Sequence, residues 1–450
     1  MSSLTETLVD KILAVQFDQL PAAAIDMAKQ VTLDGIAVML AGATEPLGLG
    51  RIVTQYVKES GANPQASVVA GGFKTSMTNA AFANGTMAHA LDFDNTWYPL
   101  NHPTSPTLPA VLAIAEHKAC SGKHIIESLV AAFEVQARLR MAATGLETGS
   151  GFHKPGTTGQ FGAVTAASRM LKLNRQQTLM AFGLAGSRAG SMSLNTGTMT
   201  KSSHSGHAAR MGVECAQLAQ MGWSAHADIF GPKGFFDTFL FGKAEPQRLV
   251  EHFGAPFRMV DPGVGFKKHP SNYFTHRPID AALALKQNHP FTPEQIEHIH
   301  IRFPRFDYVN RPQPETGLDG KFSVQYTTVI ALLDGEISVD SFNNERRFAP
   351  DVVSLLAKTK LEVDDTIPTD FDQMHCEVSL TLSDGRTITQ RVKKLTGWVG
   401  LPLTREERMK KFHTCARRVL SQSEADAIIT FIEDLDHHND ITELMRLVRQ

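Results

Sequence analysis

Five segments of this 450-residue chain gather residue types that can hold an anion or move a proton. The first, LDFDNTWYPLNHP over residues 91–103, puts Asp92, Asp94, Asn95, Thr96 and His102 beside aromatic residues. Trp97-Tyr98-Pro99 reads as the end of a helix, leaving the polar groups on a helix end and loop, where active sites concentrate. Alone, the segment also fits a capped turn with solvated acids, and its Asp-x-Asp pair lacks the further ligands a metal needs. The second, GSGFHKPGTTGQFGA over 149–163, carries His153 in a glycine-rich loop that runs into a helix near Thr157 or Thr158. Free amides at such a start bind carboxylate or phosphate, though the Gly-Lys-Ser/Thr ending of a P-loop is missing. The third, NTGTMTKSSHSGHAAR over 195–210, places Lys201 just before an expected helix, with His204 and His207 three residues apart and able to share a face. A zinc site there needs a third ligand; packed, hydrogen-bonded histidines are the simpler reading. The fourth, GVGFKKHPSNYFTHRP over 263–278, concentrates Lys267, Lys268, His269, His276 and Arg277. The fifth, FDYVNRPQP over 306–314, offers Tyr308 as a proton donor and Arg311 as a carboxylate clamp.

Together these residues describe a site for a polyanion and proton chemistry next to a carboxylate. Removing a proton α to a carboxylate, or losing CO2 from one, builds enolate-like charge that cations and helix-end amides stabilise. No cofactor motif accompanies them. Gly48-x-Gly50 lacks a third glycine and a preceding strand, and there is no G-x-S-x-G elbow.

The elements that must position these groups change character along the chain. Residues 4 to about 220 read as successive helices, with one short β-like run, ASVVAGG, near residue 66. Ile126, Leu129, Val130, Phe133 and Ala137 form one buried helical stripe. After about residue 265, Ile299, Ile301 and Phe303 alternate with polar neighbours, as do Cys376, Val378, Leu380 and Leu382, which predicts half-buried strands. Asp384-Gly385 supplies a hairpin turn, and SVQYTTVIALLDG reads as a helix between the strands. From about 403 the helical pattern returns, with Ser421 and Glu424 spaced for a capping box. The fold class expected is mostly α with an inserted α+β unit over 266–395. The seam at 266 is a favoured place for a small-molecule cleft.

A net charge of -2 argues against nonspecific nucleic-acid binding. No apolar run of about 18 residues predicts a membrane helix. The start, MSSLTETLVDKILAV, lacks a secretory pattern. The four dispersed cysteines, with no CxxC pair, fit reduced buried thiols and a cytoplasmic protein.

Read together, AHALDFDNTWYPLNHP, GFHKPGTTGQFGA, GTMTKSSHSGHAAR, FKKHPSNYFTHRP and YVNRPQP resemble the MmgE/PrpD family over essentially the whole chain. That family includes 2-methylcitrate dehydratase, cis-aconitate decarboxylase and iminodisuccinate epimerase. The resemblance implies a large all-helical domain from both chain ends (1–265 and 396–450), a smaller α+β lid (266–395), and a homodimer. It implies no cofactor and no metal, and a small polycarboxylate substrate. Catalytic roles fall to His102, His153, Lys201 and Tyr308, and substrate binding to Asp92, Thr96, Lys267, Asn272 and Arg311. YVNRPQP is the motif most like the decarboxylases. At Asn272 the chain departs from them: they hold a His there, and the methylcitrate dehydratases an acidic residue. Asn does not titrate near neutral pH, so it can orient a substrate but not supply the proton.

The expected mechanism follows. Lys201, Lys267, His102 and the amides of residues 157–159 hold the carboxylates of a di- or tricarboxylate. His153 or Tyr308 moves a proton, and Asp92 and Thr96 orient the basic groups. The outcome is a lyase reaction, either decarboxylation or water elimination. The alternatives are an epimerase or isomerase of a dicarboxylate, with Lys201 and Tyr308 on opposite faces, and a carboxylate-binding homologue without turnover.

Overall fold

A computed structural model describes residues 2–97, 101–144 and 151–450. Two hydrophobic cores organise them. The first gathers helices from the N-terminal half, such as Ala22–Ala43, Met77–Ala88, Thr104–Lys118, Gly122–Ala142, Gly159–Met170 and Met199–Gln220. The C-terminal helices Arg405–Ala416, Gln422–Glu433 and Thr442–Arg449 join the same core, and Ala70 N–H donates to Val448 O at 2.8 Å. The Ile126-Leu129-Val130-Phe133 stripe is fully buried on its helix. Ser421 and Glu424 form the expected capping box.

One close approach matters for the site. A Cβ on Gly85 would stand 2.9 Å from Gly206 Cα, and one on Gly206 would stand 2.3 Å from Phe82 O. Only glycine pairs let the Met77–Ala88 and Met199–Gln220 helices pack at this separation. The contact brings the end of the first helix beside the first turn of the second.

The second core lies around a four-stranded sheet in the order Thr359–Val363, Ile296–Phe303, Cys376–Leu382, Thr387–Val392. The first pairing is parallel and the other two antiparallel. Ile299 pairs with Leu380 and Ile301 with Val378, so the alternation read from sequence puts one apolar face inward. The hairpin turns at Asp384-Gly385, where Gly385 has φ +84°. The helices His276–Asn288 and Val324–Asp334 belong to this core. All four cysteines are buried and unpaired. Among the described residues no helix is long and apolar enough to cross a membrane.

Two local expectations are corrected. The helix before the first motif ends at Ala88, not at Trp97, because the chain turns at His89 and again at Asp92, whose φ is +48°. Aspartate is one of the few non-glycine residues that adopt this left-handed conformation readily. Trp97 is instead buried in a bridge with Asn101; Tyr98 and Pro99 lie outside the described residues. Lys201 is the third residue of the helix Met199–Gln220, not a residue ahead of it, because Thr198 takes the cap position.

Candidate active site

The site is built on the turn after Met77–Ala88. Thr96 and Gly265 exchange backbone hydrogen bonds (Thr96 N–H to Gly265 O, 2.9 Å; Gly265 N–H to Thr96 O, 2.7 Å), which lays the turn beside Lys267. The Thr96 hydroxyl donates to Asn101 O at 2.6 Å, so its observed contact shapes the loop. Lys201 arrives from the neighbouring helix.

Asp92 stands between the two lysines. Lys201 Nζ donates to Asp92 Oδ2 at 3.0 Å. Lys267 Nζ donates to the other carboxylate oxygen, to Asp92 O at 2.6 Å and to Ser271 O at 3.2 Å. Burial alone would push the Asp92 carboxyl up, but the Lys201 and Lys267 ammoniums together hold it well below the usual carboxylate range. Burial pulls Lys267 down, and Asp92 opposes that pull.

His89 extends the array. Lys201 Nζ lies 2.9 Å from His89 Nε2, and His89 Nδ1 lies 2.9 Å from Asp94 Oδ1. An ammonium has no lone pair, so Nε2 accepts and Nδ1 carries the proton toward Asp94. Burial, reinforced by Lys201 and resisted by Asp94, takes the His89 imidazole down to about 4. His102 Nδ1 is 3.2 Å from Asp94 Oδ2, and its Nε2 is 3.5 Å from Asp92 Oδ1. Its side chain is 16% exposed, more than its partners. His153 Nδ1 and His204 Nδ1 are 3.0 Å apart. Burial, with Lys201 adding to it, drives His153 well below the normal imidazole range and His204 to about 4. Both rings are therefore neutral at pH 7.

Asp92, Thr96, His102, His153, Lys201 and Lys267 line one wall of a cavity of about 700 Å³ between the two cores, while His89, Asp94 and His204 bond to them without lining it. The second core supplies the opposite wall: Asn272, Phe274, Phe306, Tyr308, Arg311 and Phe371. Tyr308 donates to Asn272 Oδ1 at 3.4 Å. Burial and then the Asp92 carboxylate raise the phenol, although a residue 41% exposed keeps solvent contact that weakens the push. Asn272 Oδ1 also accepts from Phe274 N–H at 3.1 Å, so the side chain caps the next turn. Arg311 is held by Asp319 and by Tyr308 O (2.8 Å), which fixes its fork at the cavity edge.

All nine candidate residues named from sequence, Asp92, Thr96, His102, His153, Lys201, Lys267, Asn272, Tyr308 and Arg311, line this one cavity. The expected amides do not. The helix starts at Lys154, three residues before the earlier of the two expected starts, Thr157. Thr157 N–H therefore already donates to His153 O and Thr158 N–H to Lys154 O, and both residues are fully buried. His204 and His207 do not share a face: His204 meets His153, while His207 is exposed beside an outer groove. Sequence reasoning passed over His89, which sits three residues before Asp92 and five before Asp94; that spacing was the available signal. His269 and His276 bond Asp280 (3.1 Å) and Ser271 O (3.3 Å) and do not line the cavity.

His89, Asp94 and His102 bring three possible metal-ligating atoms within 4.8 Å of one another. The donor set does not favour a cation. The His89 nitrogens are occupied by Asp94 and by Lys201, whose ammonium would repel the ion.

A helical body with a smaller mixed unit, and a cleft between them lined by lysines, histidines and buried acids, defines a class of protein seen elsewhere. Residues 6–248 match the MmgE/PrpD N-terminal domain and residues 269–437 the MmgE/PrpD C-terminal domain. The chain belongs to the MmgE/PrpD family. It is 33% identical to cis-aconitate decarboxylase of Mus musculus, covering 100% of this chain and 94% of the relative. It is 26% identical to cis-aconitate decarboxylase of Aspergillus terreus, over 96% and 93%. It is 25% identical to the mitochondrial 2-methylcitrate dehydratase of Yarrowia lipolytica, over 77% and 69%.

Proposed function

We propose that this chain is a lyase acting on a small tricarboxylate without a bound cofactor, and that its leading reaction is loss of CO2 from an unsaturated acid such as cis-aconitate. The observation that carries this reading is the pair of ammonium groups bridged by Asp92, facing an aromatic wall across one cavity. The full-length similarity to cis-aconitate decarboxylases supports it.

The chemistry follows from the two walls. Lys201, Lys267 and Arg311 supply positive charge for the two carboxylates that stay on the product. The third, on the methylene carbon, lies against Phe274, Phe306 and Phe371, where its charge is poorly solvated and neutral CO2 leaves. The C–C bond breaks, and its electron pair moves through the C=C bond to the carbon beside the far carboxylate. That carbon takes a proton from Tyr308, whose raised phenol stays protonated. The product is itaconate. His102 and neutral His153 stand by as proton acceptors, and Asn272 orients the substrate and Tyr308.

Water elimination from a 2-methylcitrate-like acid uses the same anion holders and is the second lyase outcome. An epimerase of a dicarboxylate such as iminodisuccinate is favoured by one feature, that Lys201 and Tyr308 come from opposite walls. The division into 1–265 with 396–450 and an inserted 266–395, the homodimer and a cytoplasmic location belong to the same proposal. Two cores, exposed Ile52 and Tyr56 in an outer groove, and four unpaired cysteines support them respectively. Sedimentation of a monomer alone would remove the dimer.

Proton NMR in D2O tests the activity, with cis-aconitate, citrate, 2-methylcitrate and iminodisuccinate, each with and without chelator. Itaconate from cis-aconitate is expected. If another acid loses water or exchanges its α-proton instead, decarboxylation is wrong and the product names the reaction. Binding seen as a thermal shift, with no exchange or turnover, would identify a carboxylate-binding homologue.

A further inference from the structure

The turn that presents Asp92 is held from behind by lysines that never reach the cavity. Three ammonium groups donate to main-chain carbonyls of residues 90–93: Lys321 to Ala90 O (3.1 Å), Lys267 to Asp92 O (2.6 Å) and Lys411 to Phe93 O (2.9 Å). Lys267 lines the cavity; Lys321 and Lys411 do not. The two come from distant parts of the chain. Lys321 follows the short helix Gly317–Gly320, next to the second core, and Lys411 lies on Arg405–Ala416 in the first. Lys321 is 1% exposed and Lys411 7%.

A buried ammonium is costly unless it is paired. Lys321 has Glu45 at 3.6 Å, and Lys411 has Asp34 at 2.6 Å with the Phe93 ring 4.0 Å away. Asp34 also accepts from Asn95 Nδ2 at 3.3 Å, so the second clamp grips the turn twice. Between the gripped carbonyls sits Asp92 in its left-handed conformation, φ +48°. That conformation aims one carboxylate at two lysines, and such geometry persists only where the surroundings over-determine it.

We infer that Lys321 and Lys411 are positioning residues: by holding Ala90 O and Phe93 O they fix the Asp92 turn, and through it the placement of Lys201 and Lys267 toward the substrate. Neither touches substrate. Because Lys321 comes from the part of the chain that builds the second core, it also ties that part to the catalytic turn.

The inference rests on the proposed role of Asp92 in turnover, and the test separates the two. Lys321→Met and Lys411→Met keep length and apolar stem but remove the donor; Lys321→Arg and Lys411→Arg restore a cation. In the full-length protein, each Met variant is expected to lose about 100-fold in kcat, the scale set by a misplacement near 1 Å, with KM rising by a much smaller factor because the displaced Lys201 and Lys267 keep their charge near the substrate carboxylates. The Arg variants should recover most of the loss. Folded Met variants with wild-type kcat, or Arg variants as poor as Met, would overturn the inference. If the Met variants do not fold, Asp34→Asn leaves Lys411 in place and loosens its anchor: a kcat loss near tenfold that exceeds any rise in KM supports positioning, and unchanged kcat refutes it. Crystal structures of the same variants read the inference without turnover. Asp92 should leave its left-handed conformation or move beyond 4 Å from Lys201, and an unmoved Asp92 refutes the inference. Failure of the wild-type protein to convert any acid in the panel refutes the proposed function alone.

Discussion

On the side of the first core, the cavity wall carries Asp92, His102 and Lys201 in one chain of charged contacts, most of it nearly sealed from solvent. On the side of the second core, the wall carries Phe274, Phe306 and Phe371, with Tyr308 and Arg311 at its edge. The first wall keeps positive charge for a substrate, because the single carboxylate of Asp92 only partly offsets the two ammoniums of Lys201 and Lys267. The second offers few compensating groups. A polycarboxylate between them is held at one end and poorly solvated at the other. In the proposed decarboxylation, this difference, rather than either wall alone, favours turning a carboxylate into neutral CO2.

The comparison breaks most sharply at Asp92. Asp92→Asn leaves Lys201 and Lys267 buried without their shared counter-charge. A stability loss of about 3–5 kcal/mol is expected by denaturant unfolding, with kcat down about 10³-fold, the scale of losing electrostatic stabilisation. A folded Asn variant with near-normal turnover would mean that the lysines do not depend on the bridge. On the facing wall the effect is smaller and of a different kind. Tyr308→Phe removes a proton donor but keeps the aromatic surface, so kcat should fall about 10²-fold while KM changes little. A rise in KM alone would make Tyr308 a binding group.

Acid tests the first wall in the absence of substrate. His89 and His204 titrate at about 4 in the folded chain against 6.5 for the free group. Between those values the unfolded state binds more protons, so stability rises with pH and is lost as pH falls from 6.5 toward 4. Each buried ring contributes about 3 kcal/mol over that window. Asp92 and Asp94, held well below 3.8, add to the loss only below that value. Melting temperature should therefore fall from pH 6.5 downward, and His89→Gln should flatten the slope. An equal slope in that variant would show that His89 is not the group being protonated.

Much of the scaffold was legible because it follows local patterns. The Ile299-Ile301-Phe303 alternation, the Asp384-Gly385 turn and the Ser421–Glu424 cap each depend on residues a few positions apart. The site was legible as a set of residue types but not as a circuit. Thr157 and Thr158 looked like free amides because the sequence does not show that the helix begins at Lys154. His89 was passed over because its partner Lys201 is 112 residues away.

By itself, then, the sequence determined which chemistry the chain carries: lysines, histidines, acids and a tyrosine in glycine- and proline-marked loops, with helices at both ends and strands between. Only the tertiary structure decided how those groups share charge. It set Asp92 between Lys201 and Lys267, turned His89 into a neutral link to Asp94, and placed Lys321 and Lys411 behind the turn. The reason is physical: residue type fixes which charges exist, but burial and distances of a few ångström fix their strength and protonation, and the fold alone sets both.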